Sequence, residues 1–177
     1  MITKKKNSAY MVVPACAMIL MSFGIHQNGE PKIDGVTQNS IAQIPDSAPV
    51  DFSRVTKVVL FGDIVDPGTR QVRKHTGIDF QISAGSNVVA TADGVVVVSR
   101  YGEKRGNYVV VKHDDRFSTQ YFHLNTALVK EGEKIMKGHV IGLVGNTGLS
   151  TIPHLHYEVL KDDTRVDPKD YLPALPD

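Results

Sequence analysis

The stretch Tyr108-Val109-Val110-Val111-Lys112-His113-Asp114-Asp115-Arg116-Phe117-Ser118-Thr119-Gln120-Tyr121-Phe122-His123 decides the fold class. Two runs of β-branched and aromatic residues, Tyr108–His113 and Phe117–His123, flank the polar triplet Asp114-Asp115-Arg116. This is the pattern of two strands folded back through a turn. Working outward, Val55–Leu60, Val88–Ala92, Val95–Ser99, Val140–Val144 and Leu155–Leu160 have the same length and composition. Asp93-Gly94 reads as a further tight turn, between Val88–Ala92 and Val95–Ser99. No segment of about a dozen residues holds a helical period. Short strands punctuated by turn signals predict an all-β, mostly antiparallel sandwich or barrel over residues 54–172, with 173–177 as a C-terminal tail.

The 177 residues include 20 Lys+Arg and 19 Asp+Glu, a balance of +1 that argues against a protein working by neutralising nucleic-acid phosphates. Residues 1–25 stand apart. Lys4, Lys5 and Lys6 precede an apolar run from Met11 to Ile25, shorter than the ~20 residues of a spanning helix and laid out like a secretory signal. The leader reads as a signal cleaved near Ser22-Phe23-Gly24; the alternatives are an uncleaved membrane tether and lipidation at Cys16 after Val13-Pro14-Ala15. Loss of residues 1–24 would remove three lysines and no acid, turning +1 into −2. Residues 26–53, with Pro31, Pro45 and Pro49 and no sustained period, read as a flexible linker. Cys16 is the only cysteine, which excludes an intrachain disulfide framework and a cysteine-built zinc site.

The histidines carry the chemistry. In His154-Leu155-His156 the two imidazoles share a strand face, because residues i and i+2 point the same way. In His75-Thr76-Gly77-Ile78-Asp79 the i,i+4 spacing places both side chains on one face, with Gly77 letting the backbone bend. Each motif alone is common. Together, one histidine–aspartate pair and one histidine of the second motif supply three nitrogen and oxygen ligands for a tetrahedral zinc, with the fourth position left to water. The other histidine of the pair, and His123, are then free to handle protons. No HExxH is present, so the glutamate base of that metalloprotease class is absent.

The chain resembles the lysostaphin/LytM-type zinc metallopeptidases from about Lys74 to Leu172. The matching residues run in family order: His75-Thr76-Gly77-Ile78-Asp79, Ala90-Thr91-Ala92-Asp93-Gly94, Gly106-Asn107-Tyr108, Tyr121-Phe122-His123-Leu124, Lys137-Gly138-His139-Val140-Ile141-Gly142, Gly145-Asn146-Thr147-Gly148 and His154-Leu155-His156-Tyr157-Glu158. The resemblance implies that His75, Asp79 and His156 hold one zinc per chain. It implies that His123 and His154 are the unliganded pair that orients water, takes its proton and stabilises the oxyanion. Ile152 departs from the family, which often has glycine there, and Phe61-Gly62 and Arg70 match only in part.

The function implied is an exported zinc metalloendopeptidase of the periplasm or cell envelope that hydrolyses peptide bonds in bacterial peptidoglycan through a zinc-bound water. Its partners would be peptidoglycan peptides, with no nucleic acid, and an activator protein is left open. The alternative is a non-catalytic peptidoglycan-binding or hydrolase-activating module on the same fold; an amidase acting at the sugar–peptide junction is a third reading. Among the other histidines, His113 reads as packed in a Val-rich strand, His139 as a surface residue and His26 as part of the linker. Glu158 shares the face of His156 but reads as a solvated acid, with a contact to His156 as the other option. Gly142, Gly145 and Gly148 read as turn residues.

Overall fold

Alternation along the sequence becomes alternation across one large antiparallel sheet. The structure is a computed structural model that describes residues 43–65 and 69–176. The leader, the first part of the linker, Cys16 and His26 lie outside the described residues. Twelve strands follow in chain order: β1 (Lys57–Val59), β2 (Gly62–Val65), β3 (Val72–His75), β4 (Ile78–Gln81), β5 (Asn87–Val89), β6 (Gly94–Gly102), β7 (Gly106–Lys112), β8 (Phe117–Ala127), β9 (Lys134–Ile135), β10 (Val140–Val144), β11 (His154–Lys161) and β12 (Thr164–Val166). The helical turns among the described residues are two 3₁₀ segments, Phe52–Arg54 and Pro168–Asp170, each capped by an aspartate side chain. No helix among these residues is long and apolar enough to cross a membrane.

Ten strands form one sheet in the order β1-β4-β11-β8-β7-β6-β9, with β10 pairing both β5 and β8, and β12 pairing β11. Strands β2 and β3 make a separate hairpin. The all-β, antiparallel expectation therefore holds. So does the hairpin at Asp114-Asp115-Arg116, whose strands pair Val111 with Thr119 and Lys112 with Ser118. Three details differ from the sequence reading. The strands on either side of Asp93-Gly94 do not pair with each other: β5 pairs with β10, and β6 with β7 and β9. Both runs are apolar, and composition does not encode which neighbour completes a strand's hydrogen bonds. Second, residues 43–53 are not a free tether. The Pro49 carbonyl accepts from Val89 N at 2.9 Å, Val50 is buried, and Phe52 stacks on Phe80 at 5.2 Å. Third, Leu175, within the expected tail 173–177, packs against the core.

The core lies on one face of the sheet. Ile78 and Phe80 of β4, Val109 and Val111 of β7, Tyr121 of β8, and Leu155, Tyr157 and Val159 of β11 are all fully buried. Their sequence neighbours point the other way. Register sets Asp79 opposite His156 and His156 opposite Phe122, so these three side chains stand in a row across adjacent strands. Within the core a polar seam survives because each hydroxyl finds a partner. Thr91 Oγ1 meets the hydroxyls of Tyr121 and Tyr157 at 3.1 and 3.0 Å, and Thr119 Oγ1 donates to Tyr121 at 3.0 Å. His113 is buried, as expected; its Nε2 lies 2.8 Å from Thr119 Oγ1, while Nδ1–H donates to the Asp93 carbonyl at 2.8 Å. His139 is exposed.

Candidate metal centre and catalytic cleft

Four elements deliver five side chains to one cleft of about 750 Å³. His75 and Asp79 do not lie on a single strand or helix, as their spacing alone suggested. His75 ends β3, Asp79 sits in β4, and Thr76-Gly77 joins them. Gly77 is required for space rather than for an unusual φ: a Cβ there would collide with the Tyr157 carbonyl and come within 3.0 Å of His156 Nε2. On β11, His154 and His156 share the face opposite Leu155, as alternation dictates.

Three donors converge. His75 Nε2 lies 3.1 Å from Asp79 Oδ1 and 3.2 Å from His156 Nδ1, and His156 Nδ1 lies 2.6 Å from Asp79 Oδ1. Tetrahedral zinc with bonds near 2.0–2.1 Å separates its ligands by roughly 3.3 Å, so the two His75 distances already match and only the His156–Asp79 pair needs to open, by about 0.7 Å. The hydrogen bonds behind the donors select the same atoms. His75 Nδ1–H donates to the Leu60 carbonyl at 2.7 Å, which leaves Nε2 turned to the centre. His156 Nε2–H donates to Glu158 Oε1 at 3.3 Å, which leaves Nδ1. The donor set and its tautomers fit zinc.

Glu158 is not the solvated acid read from the sequence, since only 1% of it is exposed. Thr76 Oγ1 donates to its Oε1 at 2.5 Å and Arg165 Nε to its Oε2 at 2.9 Å. Burial alone would raise this carboxyl, but hydrogen bonds from His156, Thr76 and Arg165 hold it below the usual range. Burial likewise opposes charge on His156, yet Asp79 and Glu158 outweigh it and raise the imidazole to about 9 in the metal-free chain. Burial also acts against the Asp79 carboxylate, and the bonds from His156 and His75 overcome it, leaving Asp79 well below its ordinary value.

His123 and His154 lie beside the cluster, their ring centroids 4.8 Å apart. Each gives its Nδ1–H to a carbonyl, His123 to Thr147 at 2.8 Å and His154 to Ile152 at 2.9 Å, so each turns Nε2 away from its carbonyl. His154 Nε2 is 3.7 Å from Asp79 Oδ1. Burial, reinforced by His154 and His156, lowers the His123 imidazole against the opposing bond to Thr147 and favours its neutral form. The backbone of His123 has φ 61°, a left-handed conformation rare for a residue with a Cβ. It marks a bulge where β8 leaves β11, its partner up to Phe122, for β10, its partner from Leu124. That bend aims the ring into the cleft.

The motif Gly145-Asn146-Thr147-Gly148 belongs to the family resemblance, but no role for Thr147 follows from the sequence. Gly148 has φ 74° and Gly106 φ 67°, and a Cβ on either would strike the backbone of the other loop. Thr147 Oγ1 donates to the Leu124 carbonyl at 2.7 Å and accepts from Asn107 N at 3.0 Å. The motif Gly145-Asn146-Thr147-Gly148 is thus a clamp that holds His123, while Gly142, expected in a turn, lies within β10.

The model of Peptidase family M23 matches residues 73–168. The chain is 48% identical over 94 residues to the peptidoglycan DD-endopeptidase ShyA of Vibrio cholerae, covering 53% of this chain and 22% of ShyA. It is 39% identical over 122 residues to ShyC of the same organism, covering 69% of this chain and 28% of ShyC. The chain therefore spans about a quarter of the length of these relatives. Among solved structures, a zinc-containing peptidase from Vibrio cholerae is similar with a TM-score of 0.64 and 37% identity, over 76% of this chain and 41% of that one. The catalytic domain of lysostaphin from Staphylococcus simulans is similar with a TM-score of 0.60 and 28% identity, over 68% of this chain and 93% of that one.

Proposed function

This chain belongs to peptidase family M23, and on that premise we propose that it is an exported zinc endopeptidase that hydrolyses peptide bonds in bacterial peptidoglycan. The observation that carries the reading is the convergence, in one cleft, of three donors within 3.2 Å of one another and two further imidazoles with free Nε2 atoms. The similarity to proteins named peptidoglycan DD-endopeptidases supports the substrate. Export rests on the leader, residues 1–25, which would carry the domain to the periplasm or cell envelope or tether it there.

His75, Asp79 and His156 would hold the zinc, which when bound supplies a Lewis acid for the scissile carbonyl and for water. The chain's own residues do the rest. His123 and His154 orient the attacking water through Nε2 and accept its proton. The resulting imidazolium keeps its Nδ1–H on a carbonyl, of Thr147 or Ile152, and can return the proton to the departing amine. Facing the cleft, the same Nε2–H groups donate to the oxyanion as charge develops there. In the metal-free chain the bonds from the His156 and His75 imidazoles hold Asp79 as a carboxylate, the form a zinc ligand needs.

The test separates the two histidines of one tripeptide. His156→Ala is expected to lower both bound zinc and cleavage of purified peptidoglycan. His154→Ala and His123→Ala are expected to keep zinc and lose roughly 10²–10⁴-fold in rate. Zinc per chain by elemental analysis and product formation by mass spectrometry decide it; full activity in His154→Ala would remove that residue from the chemistry.

A further inference from the structure

In a chain with nearly balanced charge, the catalytic cleft carries five cations. Lys57, Arg73, Lys74, Lys104 and Arg105 line it, and among the described residues the single lining acid is Asp79, already held by the imidazoles. None of the five has a carboxylate within ion-pair distance among the described residues, whereas Lys112, Arg116, Lys137 and Arg165 elsewhere do. Uncompensated like charges repel, and this arrangement is complete only when an anion enters.

The cations flank the histidines. Lys57 pairs across to Gln81, and Gln81 to His154, so Lys57 stands two strands from one of the free imidazoles. On the far side, Lys104 and Arg105 occupy the β6–β7 turn. From β1 to β7 the sheet order crosses four strand spacings, about 19 Å, which roughly six residues of extended peptide would span. Arg105 is the fixed member. Its guanidinium lies 5.2 Å from the Tyr108 ring centroid and 5.0 Å from that of Phe122, and Phe122 stacks on His156 at 5.3 Å. Its carbonyl accepts from His123 N at 2.8 Å. A guanidinium held between two perpendicular rings at the mouth of the cleft has little freedom to move, and its planar fork of N–H donors matches a planar carboxylate, which is Arg's particular geometry.

We infer that this cleft selects peptides bearing carboxylates on both sides of the bond presented to His123 and His154, with Arg105 as the fixed recognition group. The inference rests on the peptidase reading for the site but not for its test. The full-length chain is held in excess chelator, so that no bond is cut and no metal can bind a carboxylate. Two probes carry a neutral fluorophore: a cross-linked peptidoglycan peptide with free carboxylates, and the same peptide with its carboxylates converted to primary amides. Fluorescence anisotropy is expected to show the amidated probe binding at least about tenfold more weakly, since exposed ion pairs each contribute roughly two- to fivefold. Arg105→Gln is expected to narrow that gap about threefold or more, Arg105→Lys to restore part of it, and Lys130→Gln, outside the cleft, to leave it unchanged. Equal affinity for the two probes, no binding of either, or equal narrowing by Lys130→Gln overturns the inference. Displacement of the probe by polyphosphate at lower concentration than by unlabelled peptide also overturns it, assigning the cleft to phosphate polymers. Zinc is then restored; a preserved affinity gap with no cleavage would overturn the peptidase reading while leaving the carboxylate selectivity standing.

Discussion

Glu158 shows at the scale of one residue how a buried acid can matter without touching substrate. It accepts from His156, Thr76 and Arg165, and the first of these bonds fixes the imidazole with Nδ1 toward Asp79. Glu158→Ala would leave the His156 Nε2–H without its acceptor and free the ring to rotate or change tautomer. Zinc affinity is expected to fall roughly 10–100-fold, read by competition with a chromophoric chelator. Glu158→Gln keeps an acceptor oxygen and is expected to lie between wild type and Ala. Unchanged affinity in the Ala variant would mean that the ring is held by packing on Phe122 alone. His123 adds a second point at this scale. Its left-handed φ costs on the order of 1–3 kcal/mol, and the Thr147 and Arg105 contacts are what hold it there.

At the scale of elements, the cleft depends on two loops that touch through glycine. In Gly106→Ala the new Cβ meets Thr147 backbone in a backbone conformation already unfavourable for alanine. The loop must withdraw, and Thr147 with it, so the support for the His123 ring is lost. Stability is expected to drop by about 1–3 kcal/mol in urea unfolding. The zinc site on β3, β4 and β11 lies elsewhere, so bound zinc is expected to be retained while peptidoglycan cleavage falls. Loss of zinc in this variant would show that the two halves of the cleft are not independent. Strand register is the other contribution at this scale: a slip of β11 by one residue would turn His154, His156 and Glu158 into the core and Leu155 and Tyr157 into the cleft.

Across the whole molecule, the polar seam in the core ties stability to pH. His113 is buried, and burial, only partly opposed by the Asp93 carbonyl and by Asp93 and Asp114 charge, lowers its imidazole below the ordinary value of 6.5. The folded state then binds fewer protons than the unfolded state between that depressed value and 6.5. Stability from this group is full above about 6.5 and is lost as pH falls toward the folded value. His123 acts in the same direction, whereas metal-free His156, raised to about 9, favours folding below 6.5 and loses that contribution toward 9. Urea midpoints of the chelated chain at pH 7.5 and 5, compared between wild type and His113→Gln, isolate the His113 share. The variant is expected to lose less stability on acidification; an identical pH slope would remove His113 from the account.

What the sequence determined by itself is whatever follows from period and composition. Alternation of β-branched residues gave the all-β class, and i,i+2 spacing placed His154 and His156 on one face, because side-chain direction along a strand is a local property. Family order in the motifs singles out His75, Asp79, His123, His154 and His156. Tertiary structure alone decided the partners. The β5–β10 pairing, the packing of Val50 and Phe52 onto the sheet, the bond from Thr76 to buried Glu158, and the Gly106–Gly148 contact all join residues distant in sequence. Glu158 looked solvated because a charged residue in an alternating strand normally faces water; here its face is covered by the turn at Thr76-Gly77 and by β12. The physical reason is common to all four. A strand's own residues set which way its side chains point, but only the closed sheet sets what lies opposite them.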